Sequence, residues 1–239
     1  GNSLSENTKG YGFAAGDVTL GGTAGATTAV VSGGPTTYNV AVSGMTANGT
    51  VIAFKGNYTD PTDGLGRTGV YYRAVAANAG KSPVQLVANT ATVIPNPPGA
   101  PVVTFGSTAP PSAGNGYMVF TGLDIEEAPT RGGIYRAPLQ PSPALQTLAG
   151  IGDQVPGEAE GVTFNAFGEG LSLSSDARFV SFWGAWGTDK FNRVLMCPAD
   201  GNAELIAYCQ ANFPSGYPVA IPVHQGIFVA DAQSGRIYA

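Results

Sequence analysis

The sequence is poor in charged residues, and this scarcity argues against two classes of partner. Lys, Arg, Asp and Glu make up only 11% of the 239 residues, and the net charge is −5. An average soluble protein carries about 25% charged residues. Without a cluster of Lys and Arg, the chain lacks the electrostatic footprint of a nucleic-acid-binding protein or of one that binds an anionic membrane surface. We therefore expect no nucleic-acid partner and no membrane-surface partner.

Histidine and long apolar runs are also scarce. No run reaches the roughly 18 apolar residues of a membrane-spanning helix, so we expect no membrane insertion. The single histidine, His224, argues against a His-rich metal site and gives little scope for a Ser–His or Cys–His catalytic pair. No glycine-rich phosphate loop lies between a strand and a helix. We assign no catalytic residue, and because no signal peptide opens the chain we expect a mature or excised segment.

Cysteine is limited to Cys197 and Cys209, and the sequence leaves their state open. A pair in a secreted protein usually forms a disulfide. However, Asp200-Gly201 is typical of a two-residue hairpin turn, which would place Cys209 about 17 Å beyond the partner position of Cys197. A disulfide needs Cα atoms closer than about 7 Å. The thiols are therefore either free or joined across a wider turn.

Glycine, proline and apolar residues are abundant, and together they predict an all-β protein. The chain contains 35 Gly and 18 Pro with 43% hydrophobic and 10% aromatic residues, a mixture that suits short strands joined by turns around a buried core. Low Lys content and abundant Thr, Gly and Ala favour an extracellular or cell-surface location. The sequons at Asn48 and Asn57 predict glycosylation at exposed turns.

One phrase recurs and predicts a repeated unit. An apolar strand that ends in Phe-x-Gly appears in "VIAFKG" (51–56), "YMVFTG" (117–122) and "FVSFWG" (179–184). A second strand follows in "GVYYRA" (69–74), "GIYRA" (133–137) and "RVLMC" (193–197), with a last copy in "GRIYA" (235–239). A third strand precedes a proline in 84–95, 145–156 and 203–214. With a short apolar patch as a fourth landmark, each unit is interpreted as a four-stranded meander.

Repeated meanders must stack to bury both of their faces. We place all of residues 1–239 in a single repeat domain, with units anchored near Phe13, Phe54, Phe120, Phe182 and Phe228. We predict a β-propeller-like array of about five blades. A β-sandwich is the alternative, because alternating strands with frequent turns would also suit that fold.

The segment 145–187 adds further landmarks to this pattern. They are Gly152-Asp153, Pro156-Gly157, Thr163-Phe164 and Phe182-x-Gly184. On these residues the chain resembles an uncharacterised tandem-repeat family of secreted bacterial proteins over about residues 40–230. The resemblance implies a β-propeller-like fold and secretion but supplies no catalytic residue. The other units depart from the pattern, since "NTATVIPNPPG" lacks the Gly-Asp step.

Acidic residues follow the Phe-x-Gly steps and would lie together at one rim of the array. They are Asp17, Asp60, Asp63, Asp124, Glu126, Glu127, Asp189 and Asp231. Paired carboxylates could cleave glycosidic bonds, and carboxylate and carbonyl oxygens could bind calcium. The alternative is that Asp stabilises the turns through backbone hydrogen bonds. Calcium is therefore a candidate cofactor and no other cofactor is expected.

Aromatic residues fall in the same bends, at Tyr58, Trp183, Trp186 and Phe191. Trp and Tyr offer flat apolar faces with a polar group, which suits stacking on sugar rings, although packing between units would use the same side chains. The candidate ligand-binding residues are Tyr58, Asp60, Asp124, Trp183, Trp186 and Asp189.

These observations favour a secreted, non-enzymatic binding or surface-associated module whose ligand is a polysaccharide or other glycan. A polysaccharide hydrolase or lyase that uses the rim carboxylates is the first alternative. A structural repeat of an extracellular filament or sheath, which would self-associate, is the second. The sequence leaves open whether any reaction is catalysed.

Overall fold

The computed structural model describes residues 39–45, 51–59, 64–74, 84–95 and 101–239. These residues form antiparallel sheets with one short helix, which confirms the all-β prediction. The first sheet contains β1 (Asn39–Met45), β2 (Val51–Thr59), β3 (Gly66–Ala74) and β4 (Gln85–Asn89), hydrogen-bonded in that order.

The second and third sheets repeat this up-and-down order. The second contains β5 (Ser107–Thr108), β6 (Ser112–Gly114), β7 (Tyr117–Leu123), β8 (Gly132–Pro138) and β9 (Gln146–Gly150), and both β5 and β6 pair with β7. The third contains β10 (Phe164–Leu173), β11 (Phe179–Leu195), β12 (Tyr217–Asp231) and β13 (Arg236–Tyr238). Helix α1 (Ala203–Asn212) lies between β11 and β12.

The three sheets pack in series, because the second sheet contributes one face to each of two buried clusters. On β7, Met118 and Phe120 belong to a cluster shared with Ala53 and Val70 of the first sheet. Val119, which points to the opposite face, belongs to a cluster shared with the third sheet. Alternation of side chains along a strand produces this division. A single pair of facing sheets, the sandwich alternative, does not describe this arrangement.

An aromatic cluster explains the Phe-x-Gly step. In the second sheet the rings of Phe105, Phe120 and Tyr135 contact one another at centroid distances of 5.3–6.1 Å. A Cβ on Gly122 would lie 2.6 Å from the Phe105 ring, so only glycine fits below it. The third sheet repeats the arrangement with three phenylalanines and a glycine, namely Phe164, Phe182, Phe228 and Gly184.

The segments that join consecutive sheets are also equivalent. The amide of Ile94 donates to Val103 O at 2.8 Å after the first sheet, and the amide of Val155 donates to Val162 O at 2.9 Å after the second. Single β-bridges, Val93 to Thr104 and Gln154 to Thr163, close both connectors. The apolar patches Thr104-Phe105 and Thr163-Phe164, which are the fourth landmark of two sequence units, therefore begin the sheet that follows. The third predicted patch, at 219–221, lies within β12 instead.

The third unit differs from the sequence prediction because it contains a long insertion. Gly184 of β11 pairs with Gly226 of β12, as Gly122 pairs with Gly133 in the second sheet. Residues 123–132 separate the pair in the second sheet, whereas residues 185–225 separate it in the third. We call residues 187–223 the arm; it consists of the paired ends of β11 and β12 and helix α1.

Two predicted landmarks change place because of the arm. The sequence "GIFVA" (226–230), and not 193–197, is the third copy of the second strand. Phe228 was predicted to anchor a further unit, but it lies opposite Phe182 in the same sheet. Residues 236–238 form the fourth strand of that sheet. The structure therefore describes three sheets; the predicted unit at Phe13 lies outside the described residues.

Residues 203–212 form helix α1, and the predicted strand and two-residue hairpin in this region are wrong. The Asn202 side chain accepts hydrogen bonds from the amides of Glu204 and Leu205, as an N-cap does. A helix rises only about 1.5 Å per residue, which keeps Cys209 near the end of β11. Cys197 and Cys209 form a disulfide with Cα atoms 5.8 Å apart. No described helix has the length and apolar character needed to span a membrane.

Candidate ligand-binding rim

The candidate site lies at the sheet edge where the Phe-x-Gly strands end, which we call the rim. In the second sheet, the loop 124–131 and the connector that begins at Gly150 meet there, because the Ile151 amide donates to Gly132 O at 2.9 Å. The arm extends from the equivalent edge of the third sheet. The rim therefore contains the loops in which the sequence analysis placed the binding residues.

A cavity of about 680 Å³ opens at the rim, between the two connectors. Ile94 and Pro95 line it from the first connector, and Ile151 and Asp153 from the second. The second sheet adds Thr130, Arg131, Tyr135 and Thr147. We call this cavity the rim pocket. Its lining combines an acid, a base, two hydroxyls and a phenol with an apolar side, and its volume is that of a small-molecule site.

Asp124 organises the loop beside this pocket. Its carboxylate accepts hydrogen bonds from the amides of Ile125, Thr130 and Arg131 and from the Thr130 hydroxyl. Partial burial acts to raise the pKa of Asp124, but the hydrogen bonds from Thr130, Arg131 and Ile125 together lower it below its usual value. Asp124 therefore stays ionised and holds the loop, as Asp commonly does in turns. It does not line the pocket itself.

Asp153 closes the connector and also lines the pocket. Its Oδ2 accepts the Gly150 amide at 2.6 Å, while in the first connector the Thr92 hydroxyl accepts the Asn89 amide at 3.0 Å. Asp153 and Thr92 therefore close equivalent turns. The Gly-Asp step of the sequence pattern can be replaced by a Thr at the Asp position without loss of this hydrogen bond. Asp153 is exposed, so its second oxygen faces solvent or a ligand.

Tyr135 gives the pocket a buried phenol. The residue is 1% exposed. Burial raises the pKa of Tyr135, and the nearby negative charges of Asp153 and Asp124 raise it further. The hydroxyl is therefore protonated throughout the physiological pH range and remains a hydrogen-bond donor.

The two tryptophans lie on opposite faces of the third sheet and do not form one site. Trp186 packs against the buried cluster, with its ring centroid 5.9 Å from Phe228 and 6.1 Å from His224. Trp183 lies on the outer face, where its Nε1 donates to Gln225 Oε1 at 2.8 Å. Phe191 is 49% exposed on the arm. Trp186 is therefore used for packing, which was the alternative to stacking on a sugar ring. Trp183 and Phe191 reach the surface.

The remaining predicted residues do not join the pocket within the described part of the chain. Asp189 is exposed in the irregular segment of β11 between Trp186 and Lys190. The side chain of Tyr58, together with Asp60 and Asn48, lies outside the described residues. Asn57 is exposed on β2. Among the described residues no three His, Cys, Asp or Glu side chains are grouped as metal ligands.

Sequence reasoning missed the residues that line the pocket from the strands and connectors. Arg131 and Thr130 follow the acidic bend, and Tyr135 and Thr147 lie opposite each other on β8 and β9. The signal available was the "GIY" step, which the sequence analysis uses only as a landmark of the second strand. The helix was also missed, although "NAELIAYCQAN" (202–212) combines an N-cap residue with good helix formers.

The comparisons with known proteins do not assign a family. No family model and no curated protein matches the chain. Among solved structures, the chain is similar to a structure titled "AtxE2 Isopeptidase - APO" at 14% identity and a TM-score of 0.41. The match covers 84% of this chain but only 30% of that one. A likeness this distant carries no argument about function.

Proposed function

We propose that the chain is a non-enzymatic extracellular binding module that holds a carbohydrate in the rim pocket. The observation that carries this proposal is the composition of the pocket. Arg131 and Asp153 provide opposite charges, and Thr130 and Thr147 provide hydroxyls. A neutral polyol needs donors and acceptors in balance together with apolar surface for its C–H faces, which Ile94 and Pro95 supply.

The balance of charge distinguishes this ligand class from an anionic one. A phosphate or sulfate site commonly contains several Arg or Lys side chains. Among the described residues, Arg131 is the only basic residue lining this pocket, and it is accompanied by Asp153. The Cys197–Cys209 disulfide supports an extracellular location, because disulfides persist in oxidising compartments.

We further propose that the sheets are blades of a propeller-like array. The support is the repeated geometry: equivalent connectors, equivalent aromatic clusters and two buried interfaces in series. In this arrangement the rim pocket lies between consecutive blades, because both connectors line it. The hydrolase alternative is less well supported, because the carboxylate of Asp124 is held by hydrogen bonds within its own loop and does not line the rim pocket.

A glycan array followed by isothermal titration calorimetry tests the proposal. The variant Thr147→Tyr places a ring in the rim pocket at an exposed strand position and is expected to abolish binding. The matched control Thr188→Tyr makes the same change at an exposed position of the arm and is expected to bind like the wild type. If the wild type binds no glycan, or if Thr147→Tyr binds as well as the control, the proposal fails.

A further inference from the structure

The outer face of the third sheet, on the side away from Phe228, carries a continuous apolar stripe. Alternation along β12 places every second residue on this face. We call these residues the β12 stripe: Tyr217, Val219, Ile221, Val223, Gln225, Ile227 and Val229. Six of the seven are apolar, and the stripe continues from the sheet along the arm without a break in β12. At about 3.4 Å per residue, the stripe is about 40 Å long.

The stripe is exposed where the equivalent surface of the second sheet is buried. Ile134 follows Gly133 and precedes Tyr135, as Ile227 follows Gly226 and precedes Phe228. Ile134 is 0% exposed because the third sheet covers it, whereas Ile227 is 66% exposed. In the described part of the chain no further sheet packs on this face of the third sheet. The stripe is thus the continuation of an interface that is already present once in the molecule.

The arm carries the stripe beyond the reach of another sheet of the usual size. Strands β7 and β8 end near the rim, so a sheet of their length would cover the stripe only near Ile227 and Val229. Tyr217 and Val223 would remain 52% and 50% exposed on a two-stranded ribbon. A ribbon of this kind is marginally stable in water unless it packs on something.

We propose that a second copy of this chain covers the β12 stripe, in a dimer with a two-fold axis near Val223. Val223 is the midpoint between Tyr217 and Val229, so a two-fold axis there places the arm of each copy on the sheet face of the other. Each copy then covers the full stripe of its partner. Self-complementary contact around a two-fold axis is the commonest form of homodimer.

The exposed area around the stripe is large enough for a stable interface with a second copy. On β11, the side chains Trp183, Phe191 and Leu195 lie beside the stripe, paired with Ile227, Ile221 and Tyr217. Six of these ten side chains are exposed, and four, namely Trp183, Val219, Ile221 and Val229, are partly exposed. Together they would bury on the order of 700 Å² per copy, which is close to the roughly 800 Å² per partner of a stable interface. Among the β11 residues that pair with the stripe, only Arg193, opposite Val219, is charged. Contact through the faces is favoured over strand addition, because Pro218 and Pro222 remove amide donors from β12.

Sedimentation equilibrium on the full chain tests the proposal. We expect a monomer–dimer equilibrium in the micromolar range or tighter. The variant Val223→Lys places two like charges beside the two-fold axis and is expected to weaken the dimer at least about 100-fold. The matched control Val102→Lys changes the same residue type at a 77% exposed position outside the stripe and is expected to leave the dimer unchanged.

A cross-linking experiment locates the axis independently of affinity. Val223→Cys treated with a short bismaleimide is expected to give a covalent dimer, and Val102→Cys is expected to remain monomeric. Circular dichroism of each variant verifies that the sheets are intact. A wild type that is monomeric at 200 μM would overturn the proposal, because a second copy would then not cover the stripe. Equal weakening by Val223→Lys and Val102→Lys would overturn it as well.

Discussion

Phe182 and Phe228 lie opposite each other on neighbouring strands, with ring centroids 5.7 Å apart and both side chains buried. Phe120 and Tyr135 occupy the same positions in the second sheet, also at 5.7 Å. In both sheets the glycine two residues after the Phe of the first strand, Gly122 or Gly184, pairs with the glycine two residues before the partner aromatic residue, Gly133 or Gly226. This correspondence identifies "GIF" at 226–228 as the counterpart of "GIY" at 133–135.

If Phe228 belongs to the core of the third sheet, its removal should destabilise the protein strongly. We expect Phe228→Ala to lower the free energy of unfolding by about 3–5 kcal/mol, because a buried aromatic ring is lost and a cavity remains. Tyr238→Ala removes a 47% exposed ring from the adjacent strand and should cost less than about 1 kcal/mol. Urea titrations followed by circular dichroism measure both. Similar losses would place Phe228 outside the core.

Gly184 should not tolerate a methyl group. A Cβ at this position would lie 2.8 Å from the Phe164 ring, so Gly184→Ala is expected to cost about 1–3 kcal/mol of stability through overpacking. Gly170, where a Cβ meets nothing within 4 Å, provides the control Gly170→Ala. The double variant Gly184→Ala with Phe164→Leu should lose less stability than the sum of the losses of the two single variants. Strict additivity would contradict contact between the two side chains.

The ion pair between Arg178 and Asp231 predicts a loss of stability in acid. Arg178 donates from Nε at 3.2 Å and from Nη2 at 2.8 Å to the two carboxylate oxygens. These hydrogen bonds, with those from Gln233 and Ser234, hold the pKa of Asp231 far below its usual value. A depressed folded-state pKa stabilises the fold above the unfolded-state pKa of about 3.9, and this contribution is lost as the pH falls through the folded-state value.

The urea midpoint should therefore fall between pH 6 and pH 2.5, and Asp231→Asn should reduce the size of that fall. The control Glu169→Gln removes an exposed acid from β10 and should leave the pH dependence as it is in the wild type. If the urea midpoint of Asp231→Asn falls between pH 6 and pH 2.5 as far as that of the wild type, the ion pair does not contribute to the loss of stability in acid.

The disulfide should stabilise the arm and leave the sheets unaffected. It closes a short loop of chain, for which the loss of entropy in the unfolded state is worth about 3 kcal/mol. Helix α1 has no buried residue, so we expect it to depend on this link. In a Cys197→Ser, Cys209→Ser variant we expect amide hydrogen exchange in 203–212 to rise at least about tenfold, with exchange in 117–150 unchanged. Faster exchange in both regions would show that arm and sheets unfold together.

The sequence predicted the fold where spacing was regular and failed where the insertion changed the spacing. The strands at 51–56, 117–122 and 179–184 were placed correctly because an apolar alternation and the Phe-x-Gly step coincide there. In the third unit "RVLMC" stands at the expected distance and has the expected composition, so the spacing alone predicts it as the second strand. Only the cross-strand register distinguishes it from 226–230.

The candidate site was less predictable than the fold. Asp124 was identified by its position after the strand, but its hydrogen bonds to Thr130 and Arg131 depend on how the loop closes. Trp183 and Trp186 are close in sequence, yet they point to opposite faces. Asp153 and Tyr135 come together only because two connectors meet at one edge. Contacts between segments far apart in sequence decide which side chains line the rim pocket.

The two shared clusters have a consequence for how the molecule would come apart. Each of the two clusters found among the described residues belongs to a pair of neighbouring sheets. Stability in such an array behaves as a sum of nearest-neighbour terms. Removing the third sheet would expose Val119 and Ile134 of the second to water, whereas the interior of the first would be unaltered. Damage should accordingly propagate by one sheet at a time, and a terminal unit would melt before an internal one.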